Sequence, residues 1–294
     1  GRAAAILTAY SAVLAALALS LTGLGFWGWH ASLAGEAGLS RSRDSVFRRG
    51  GLSRALVEKE ALLFARDPVQ WSQLALLGGL FLMYAGNLDE LPVEFAQRVW
   101  LGVAVFMNIS FSGFVMATLM VRFSFPSISM EGPGLASLLQ MPAARRTLLR
   151  TKWAVALVCI MPLVLGAGIL STVRMGAGAL FLAETVAAII LMSSALASIN
   201  TAMGAIYPSF TDNSPASIAS GQGGILAAFA SMGYVLAMVT AISFSTREYL
   251  SSGMSSRALA GSLWKSALFM VPLTAVVSAA SMRGAARSLG RRDF

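Results

Sequence analysis

The chain has 294 residues, of which 56% are hydrophobic and 12% are charged, and its mean hydropathy is +0.72. A soluble domain carries about 25% charged residues, so this composition excludes a soluble globular protein and indicates an integral membrane protein. The net charge of +9 is explained by basic loops on the cytoplasmic side of a membrane, and no nucleic-acid partner is expected. One cysteine and one histidine exclude a disulfide framework and a Cys/His zinc site, and no metal site is predicted.

The first part of the chain is predicted to hold a spanning helix, a basic linker and a second spanning helix. An apolar run over 3–29 exceeds the roughly 20 residues that cross hydrocarbon. The segment 31–67 is a predicted cytoplasmic linker, and its imperfectly amphipathic part, 51–66, suits a helix that lies in the membrane interface. Asp67, followed by proline, makes a helix start, so the next spanning helix is predicted over 68–84.

Five further spanning helices follow, and the more basic connections all fall on one side of the membrane. The helices are predicted over about 100–120, 153–171, 180–206, 225–244 and 259–280. The loop 121–152 and the tail 283–294 are basic and are placed inside, whereas Arg247 and Glu248 are assigned to an external loop. The arrangement has seven spanning helices, with the N-terminus outside and the C-terminus in the cytoplasm, and a transmembrane domain over 68–282.

The loop 121–152 is a polar interruption between two apolar segments, and we expect it to be a docking surface for another protein. Leu135, Leu138 and Leu139 have the i, i+3, i+4 spacing of one helical face, which predicts a short amphipathic helix. A second helix is predicted to start at Pro142 and to continue into the next spanning segment.

Basic side chains follow that short helix, and a second turn-rich cytoplasmic connection lies further along the chain. Arg145 and Arg146 are expected to pair with acidic groups of the partner or with lipid phosphates, or else only to enforce the topology. In the second connection Ser214 is expected to cap a helix that has Pro215 at its first position.

Polar residues inside the apolar segments are candidates for a transport pathway. Glu184 lies near the outer end of its helix, where it is expected to face a pathway, to pair with Arg174 or to have only a structural role. Lys265 is expected to extend its ammonium group toward the interface. Asn108 and Asn200 are candidates for the pathway or for helix packing.

Two segments carry sets of motif residues: the loop 121–152 and the segment that enters the helix predicted over 68–84. In the loop 121–152 the motif residues are Glu131, Gly132, Leu138, Leu139, Pro142, Arg145, Arg146, Leu148, Leu149 and Lys152. At the entry to the helix predicted over 68–84 they are Lys59, Glu60, Phe64, Arg66, Asp67, Pro68, Trp71, Ser72 and Gln73. The first set resembles the pattern E-x-G, L-L-x-x-P, R-x-L-L-x-x-K of type-2 ATP-binding-cassette exporter permeases. The second is similar to the large bacterial exporter permeases of that superfamily, and the resemblance covers most of residues 50–240.

The resemblance implies an all-α polytopic membrane protein. It implies a six-helix transmembrane half, the C-terminal one of two, preceded by the last spanning helix of another half over 1–30. It also implies an interface helix at 51–66 and a coupling helix at 134–141. The implied interface-helix residues are Lys59, Glu60, Arg66 and Asp67. The implied residues for coupling to an ATPase are Glu131, Leu135, Leu138, Leu139, Pro142, Arg145, Arg146 and Lys152.

The chain contains no Walker A motif, so it is not expected to be an enzyme, to hydrolyse ATP or to bind a cofactor. The resemblance implies that ATP and Mg are held by a separate ATP-binding-cassette ATPase subunit, as a dimer, with the leucine face seated in a groove of that subunit. A second transmembrane half, fused or separate, and membrane lipids are the other implied partners. The expected function is export of an unidentified substrate across a bacterial cytoplasmic membrane. The alternatives are an ATP-independent secondary transporter or a non-transporting membrane scaffold.

Overall fold

A computed structural model describes the fold over residues 56–57, 59–60, 68–86, 97–132, 134–140, 144–210, 214–251 and 256–291. Within these ranges every regular element is a helix, which confirms the all-α class. The chain divides into two compact units, Gly1–Met83 and Tyr84–Phe294. The predicted helix over 3–29 lies outside the described residues.

The described helices follow the predicted order. They are α1 (Pro68–Gly86), α2 (Gln97–Phe123), α3 (Gly134–Leu139), α4 (Ala144–Arg174), α5 (Ala179–Ile206), α6 (Pro215–Ser220), α7 (Gln222–Ser251) and α8 (Ser256–Gly290), with a short 3-10 helix, Ser129–Glu131, ahead of α3. The helices predicted over 68–84, 100–120 and 180–206 are confirmed, as is the separate short helix in the loop that follows α2.

Two long helices, α7 and α8, extend well past their predicted ends, and this corrects two assignments. Arg247 and Glu248 belong to α7 and not to an external loop. Arg283 and Arg287 belong to α8, so the basic tail predicted from residue 283 is helical through Gly290. Leaving the hydrocarbon does not end a helix, because its backbone hydrogen bonds remain favourable at the interface and only a cap, a Gly or a Pro interrupts them.

Five of the described helices are long and apolar enough to cross a membrane, so the chain is an all-α polytopic membrane protein. Their spanning segments are Trp100–Phe123, Arg145–Arg174, Ala179–Ile206, Gln222–Ser251 and Gly261–Gly290. Helix α1 is confirmed as a helix but is not one of these five, so its crossing stays a prediction. With 35 residues, α8 is about 52 Å long and exceeds the roughly 30 Å of hydrocarbon.

Helix α5 is the centre of the second unit and packs against α2, α4, α7 and α8. Its C-terminal half is rich in small residues, and the side chains from Ala195 to Ala202 are all buried. Small residues allow neighbouring backbones to approach closely in a membrane. Gly204 shows how close that approach is, because a Cβ atom there would overlap the carbonyl oxygen of Phe125, at 2.2 Å.

Candidate functional site

The loop that follows α2 folds back onto the end of the bundle. The hydroxyl groups of Ser124 and Thr201 lie 2.9 Å apart in a buried hydrogen bond that joins the loop to α5. Phe125 packs with Ile218 of α6 and Ala227 of α7 in a small buried cluster. The loop is therefore attached to α5, α6 and α7 before the 3-10 helix begins.

A buried ion pair attaches the 3-10 helix to α4. The Lys152 ammonium nitrogen lies 2.6 Å from the Glu131 carboxylate oxygen Oε1, and the two side chains are 3% and 2% exposed. Both residues are predicted coupling residues, and the structure brings them together. Removing one partner of such a pair leaves a buried charge unpaired, which typically costs about 3–5 kcal/mol. The pair therefore prevents the loop from moving without α4.

The leucine face of α3 is turned toward the bundle, which corrects one prediction. Leu135 is fully buried, with 0% exposure, in a hydrophobic cluster to which α4, α5 and α8 contribute. Leu139 packs against the same cluster, and Leu138 is partly buried. The other buried members of this hydrophobic cluster are Ile128, Leu148, Leu149, Ala202, Ala205, Ala285 and Leu289. A six-residue helix is not stable alone, so α3 depends on this burial, and the expectation that Leu135 seats in a groove of a partner is wrong.

The exposed side chains at this end of the bundle include Met130 at 47%, Tyr207 at 48% and Phe210 at 44%. The backbone N–H of Ser209 donates a hydrogen bond to Ser129 Oγ at 3.1 Å, which brings the connection after α5 beside the loop after α2. We call Met130, Tyr207 and Phe210 the docking face. The sequence analysis did not identify this face, although large apolar residues in turn-rich connections were a usable signal.

The arginines that follow α3 differ in their surroundings. Arg145 and Arg146 are both exposed at the start of α4. The Arg145 guanidinium lies against the last residue of α8, since a Cβ atom built on Gly290 would overlap it. A cation is favourable there, because helix C-termini carry partial negative charge. Pro142 lies outside the described residues.

The predicted interface helix is described only in part. Residues 56–57 and 59–60 are helical, and Lys59 and Glu60 are partly buried. Arg66 and Asp67 lie outside the described part of the chain. The roles implied for these four residues stay predictions.

The two asparagines within the apolar segments hold helices together. The Asn108 side-chain N–H donates to Thr172 Oγ1 at 3.2 Å and lies 3.4 Å from the Gly168 carbonyl, which joins α2 to α4. The Asn200 side-chain N–H donates to Ser231 Oγ at 2.9 Å and joins α5 to α7. These contacts favour the helix-packing alternative for both residues.

Glu184 lies at the opposite end of α5 from the loop, with only 6% of its surface exposed. Ser245 of α7 is a neighbour of its carboxyl group, and the carboxyl oxygen Oε1 has no hydrogen-bond partner among the residues that the structure describes. Ser245 also lines a cavity of about 540 Å³ between α7 and α8. At its edge Lys265 pairs with Glu248 at 2.7 Å in an exposed ion pair, as expected for a lysine that reaches toward the interface.

Comparison with known proteins identifies a family for the chain. No curated protein and no solved structure is significantly similar to the chain. A family model described as "Putative ATP-binding cassette" matches residues 28–294, which is most of the chain. The chain therefore belongs to the family of that description, and its apolar helices make it a membrane-embedded member of it.

Proposed function

We propose that the chain is the membrane-spanning permease component of an ATP-binding-cassette exporter, driven by ATP that a separate subunit hydrolyses. The family match, the spanning helices and the lack of a Walker A motif in the sequence support this role. The observation that carries the proposal is the buried ion pair between Glu131 and Lys152. This buried pair fixes the loop to α4, as a loop that transmits a push would require.

The ATPase would exert force on the docking face, and two contacts would transmit this force to the spanning helices. Glu131 transfers it to α4 through Lys152, and Leu135 transfers it to the hydrophobic cluster shared by α4, α5 and α8. Protein interiors are close-packed and transmit strain instead of absorbing it. Closure of an ATPase dimer on ATP would therefore displace these three helices together.

The path of the substrate is proposed at the other end of the bundle. Glu184 is the candidate residue, because a buried carboxyl group with an unpartnered oxygen is costly in a membrane and is retained there mostly for function. The Asn108 and Asn200 amide oxygens are also buried without a partner among the described residues, but their N–H groups join helices and a neutral amide costs less than a carboxylate in a membrane. Ser245, a neighbour of the Glu184 carboxyl group, lines the cavity between α7 and α8, and we propose this cavity as the route outward.

The proposal also includes a membrane, an orientation in it and partner subunits. The chain would lie in a bacterial cytoplasmic membrane, with the loop after α2 and the C-terminus in the cytoplasm, because arginines collect at that end. It would work with a second transmembrane half and with an ATPase subunit dimer that binds ATP and Mg.

The test is co-purification of the full-length protein with candidate ATP-binding-cassette ATPase subunits in nanodiscs. The native chain is compared with a Met130→Asp, Phe210→Asp variant, which puts charges on the docking face. Ser220→Asp is the matched control, because Ser220 is exposed at the same end, on α6. We expect the ATPase to stay with the native chain and the control and to be lost from the double variant. If no ATPase is retained by the native chain, the permease proposal is wrong, and the scaffold or secondary-transporter alternative replaces it.

A further inference from the structure

A groove runs along α5, α7 and α8 within the apolar part of the bundle. It has a volume of about 440 Å³, and most of its lining is small or apolar. Gly233 forms part of its floor, and a Cβ atom built there would meet no other atom within 4 Å. Tyr234 presents only its ring, because its hydroxyl hydrogen-bonds to Thr274 at 2.8 Å. The groove is therefore an unfilled apolar channel between spanning helices.

The groove adjoins a second cavity at the loop end of the bundle. This cavity has a volume of about 450 Å³ and is lined by Ile206, Gly284, Arg287, Ser288 and Arg291. Ile206 and Gly284 also line the apolar groove, so the two spaces adjoin at these residues. Together they form one elongated site, with an apolar part in the groove and a cationic opening at Arg287 and Arg291, which we call the mouth.

We expect the two arginines to lie at the depth of lipid headgroups. Arg287 lies in the last turn of α8, Arg291 directly follows its last residue, Gly290, and both side chains are exposed. Helix α8 is about 20 Å longer than the hydrocarbon is thick, so its last turns extend into the headgroup region. None of the described lining residues of the mouth is acidic, so both positive charges face the cavity without a balancing carboxylate in its lining.

We propose that this groove binds one anionic phospholipid, with the phosphate between Arg287 and Arg291 and an acyl chain along the channel beside Gly233. An acyl chain matches the apolar, narrow part of the groove, and a net negative headgroup matches the mouth. A zwitterionic lipid would fill the channel but leave the arginine charges unbalanced. The site lies at the end of the bundle opposite Glu184, so it is separate from the substrate path, and the proposal does not depend on export.

The test uses the full chain, purified in detergent and titrated with phosphatidylglycerol or phosphatidylcholine of identical acyl chains, with bound lipid counted by native mass spectrometry. We expect one phosphatidylglycerol molecule to be retained in preference to phosphatidylcholine. Replacing both arginines, Arg287→Gln and Arg291→Gln, is expected to weaken phosphatidylglycerol binding about tenfold or more. Gly233→Leu, which fills the channel, is expected to remove retention of either lipid.

Two controls match these variants. Arg283→Gln removes an exposed arginine one turn earlier on α8 that does not line the mouth, and Gly261→Leu adds a side chain at another exposed, open helical glycine. Both are expected to bind lipid like the native chain. Should Gly233→Leu fail to fold, the exposed arginine pair decides the test.

Four results would overturn the proposal. One is equal retention of the two lipids, and another is an effect of Arg283→Gln as large as that of the arginine pair. A third is displacement of the lipid by inorganic phosphate, which would show a simple anion site without a role for the channel. The fourth is a homodimer that Gly233→Leu dissociates, because a second copy of the chain would then be the occupant of the groove.

Discussion

Removing one member of the Glu131–Lys152 pair is expected to destabilise the protein far more than removing both. The two side chains are 2% and 3% exposed, so Lys152→Met alone would leave a carboxylate buried without its cation. The typical cost is about 3–5 kcal/mol. Replacing both residues, Glu131→Met and Lys152→Met, removes the charges together and keeps the volume nearly constant, so most of that loss should be recovered.

Equilibrium unfolding in mixed micelles of SDS and a mild detergent measures these differences for the native chain, each single variant and the double variant. The matched control is the exposed pair of Lys265 and Glu248, where loss of one partner should change the free energy of unfolding by at most about 1 kcal/mol. The reasoning is refuted if Lys152→Met costs no more than Lys265→Met, or if the double variant is as unstable as the sum of the two single variants.

Three further predictions concern packing and the buried carboxyl group. Leu135→Ala should lower the free energy of unfolding by about 2–5 kcal/mol, because the side chain is fully buried; a loss below 1 kcal/mol in the same assay would argue against its burial. Gly204→Ala should destabilise the protein by about 1–3 kcal/mol, since the new methyl group meets the Phe125 carbonyl. The control Gly166→Ala, whose methyl group meets no other atom, should be neutral or stabilising. Equal thermal shifts for the two variants would contradict the contact at Gly204. Glu184→Leu should leave the unfolding free energy unchanged or raise it, yet reduce substrate transport in proteoliposomes; a marked loss of stability would indicate a structural role instead.

The apolar runs and the caps were readable from sequence because they depend on local rules. A run of apolar residues longer than the hydrocarbon is thick predicts a spanning helix wherever it occurs, and α5 follows its prediction within one residue. Ser214 caps α6 as expected, and its hydroxyl accepts a hydrogen bond from the Ser217 N–H at 3.2 Å. The far ends of α7 and α8 were not predicted, since the hydropathy signal stops at the interface and the helix does not.

The contacts of the candidate site depend on tertiary structure and were less predictable. Spacing identifies Leu135 as part of an apolar stripe, but a stripe does not say whether a partner or the chain's own bundle covers it. Glu131 and Lys152 are 21 residues apart in sequence, on different elements, and only the fold of the loop brings them together. Phe210 is exposed next to Ser209, whose backbone N–H bonds to Ser129 of the loop after α2, and no local pattern encodes this long-range contact.

The central claim is that the docking face contacts an ATPase subunit, and photo-crosslinking tests it most directly. A photoreactive benzophenone amino acid is placed at Met130, at Phe210 or, as a control, at Ser220, and the full chain is illuminated in nanodiscs with the ATPase subunits. We expect crosslinks to the ATPase from positions 130 and 210 and little or none from position 220. Equal crosslinking from all three positions, or none from 130 and 210 while the ATPase is bound, would contradict it.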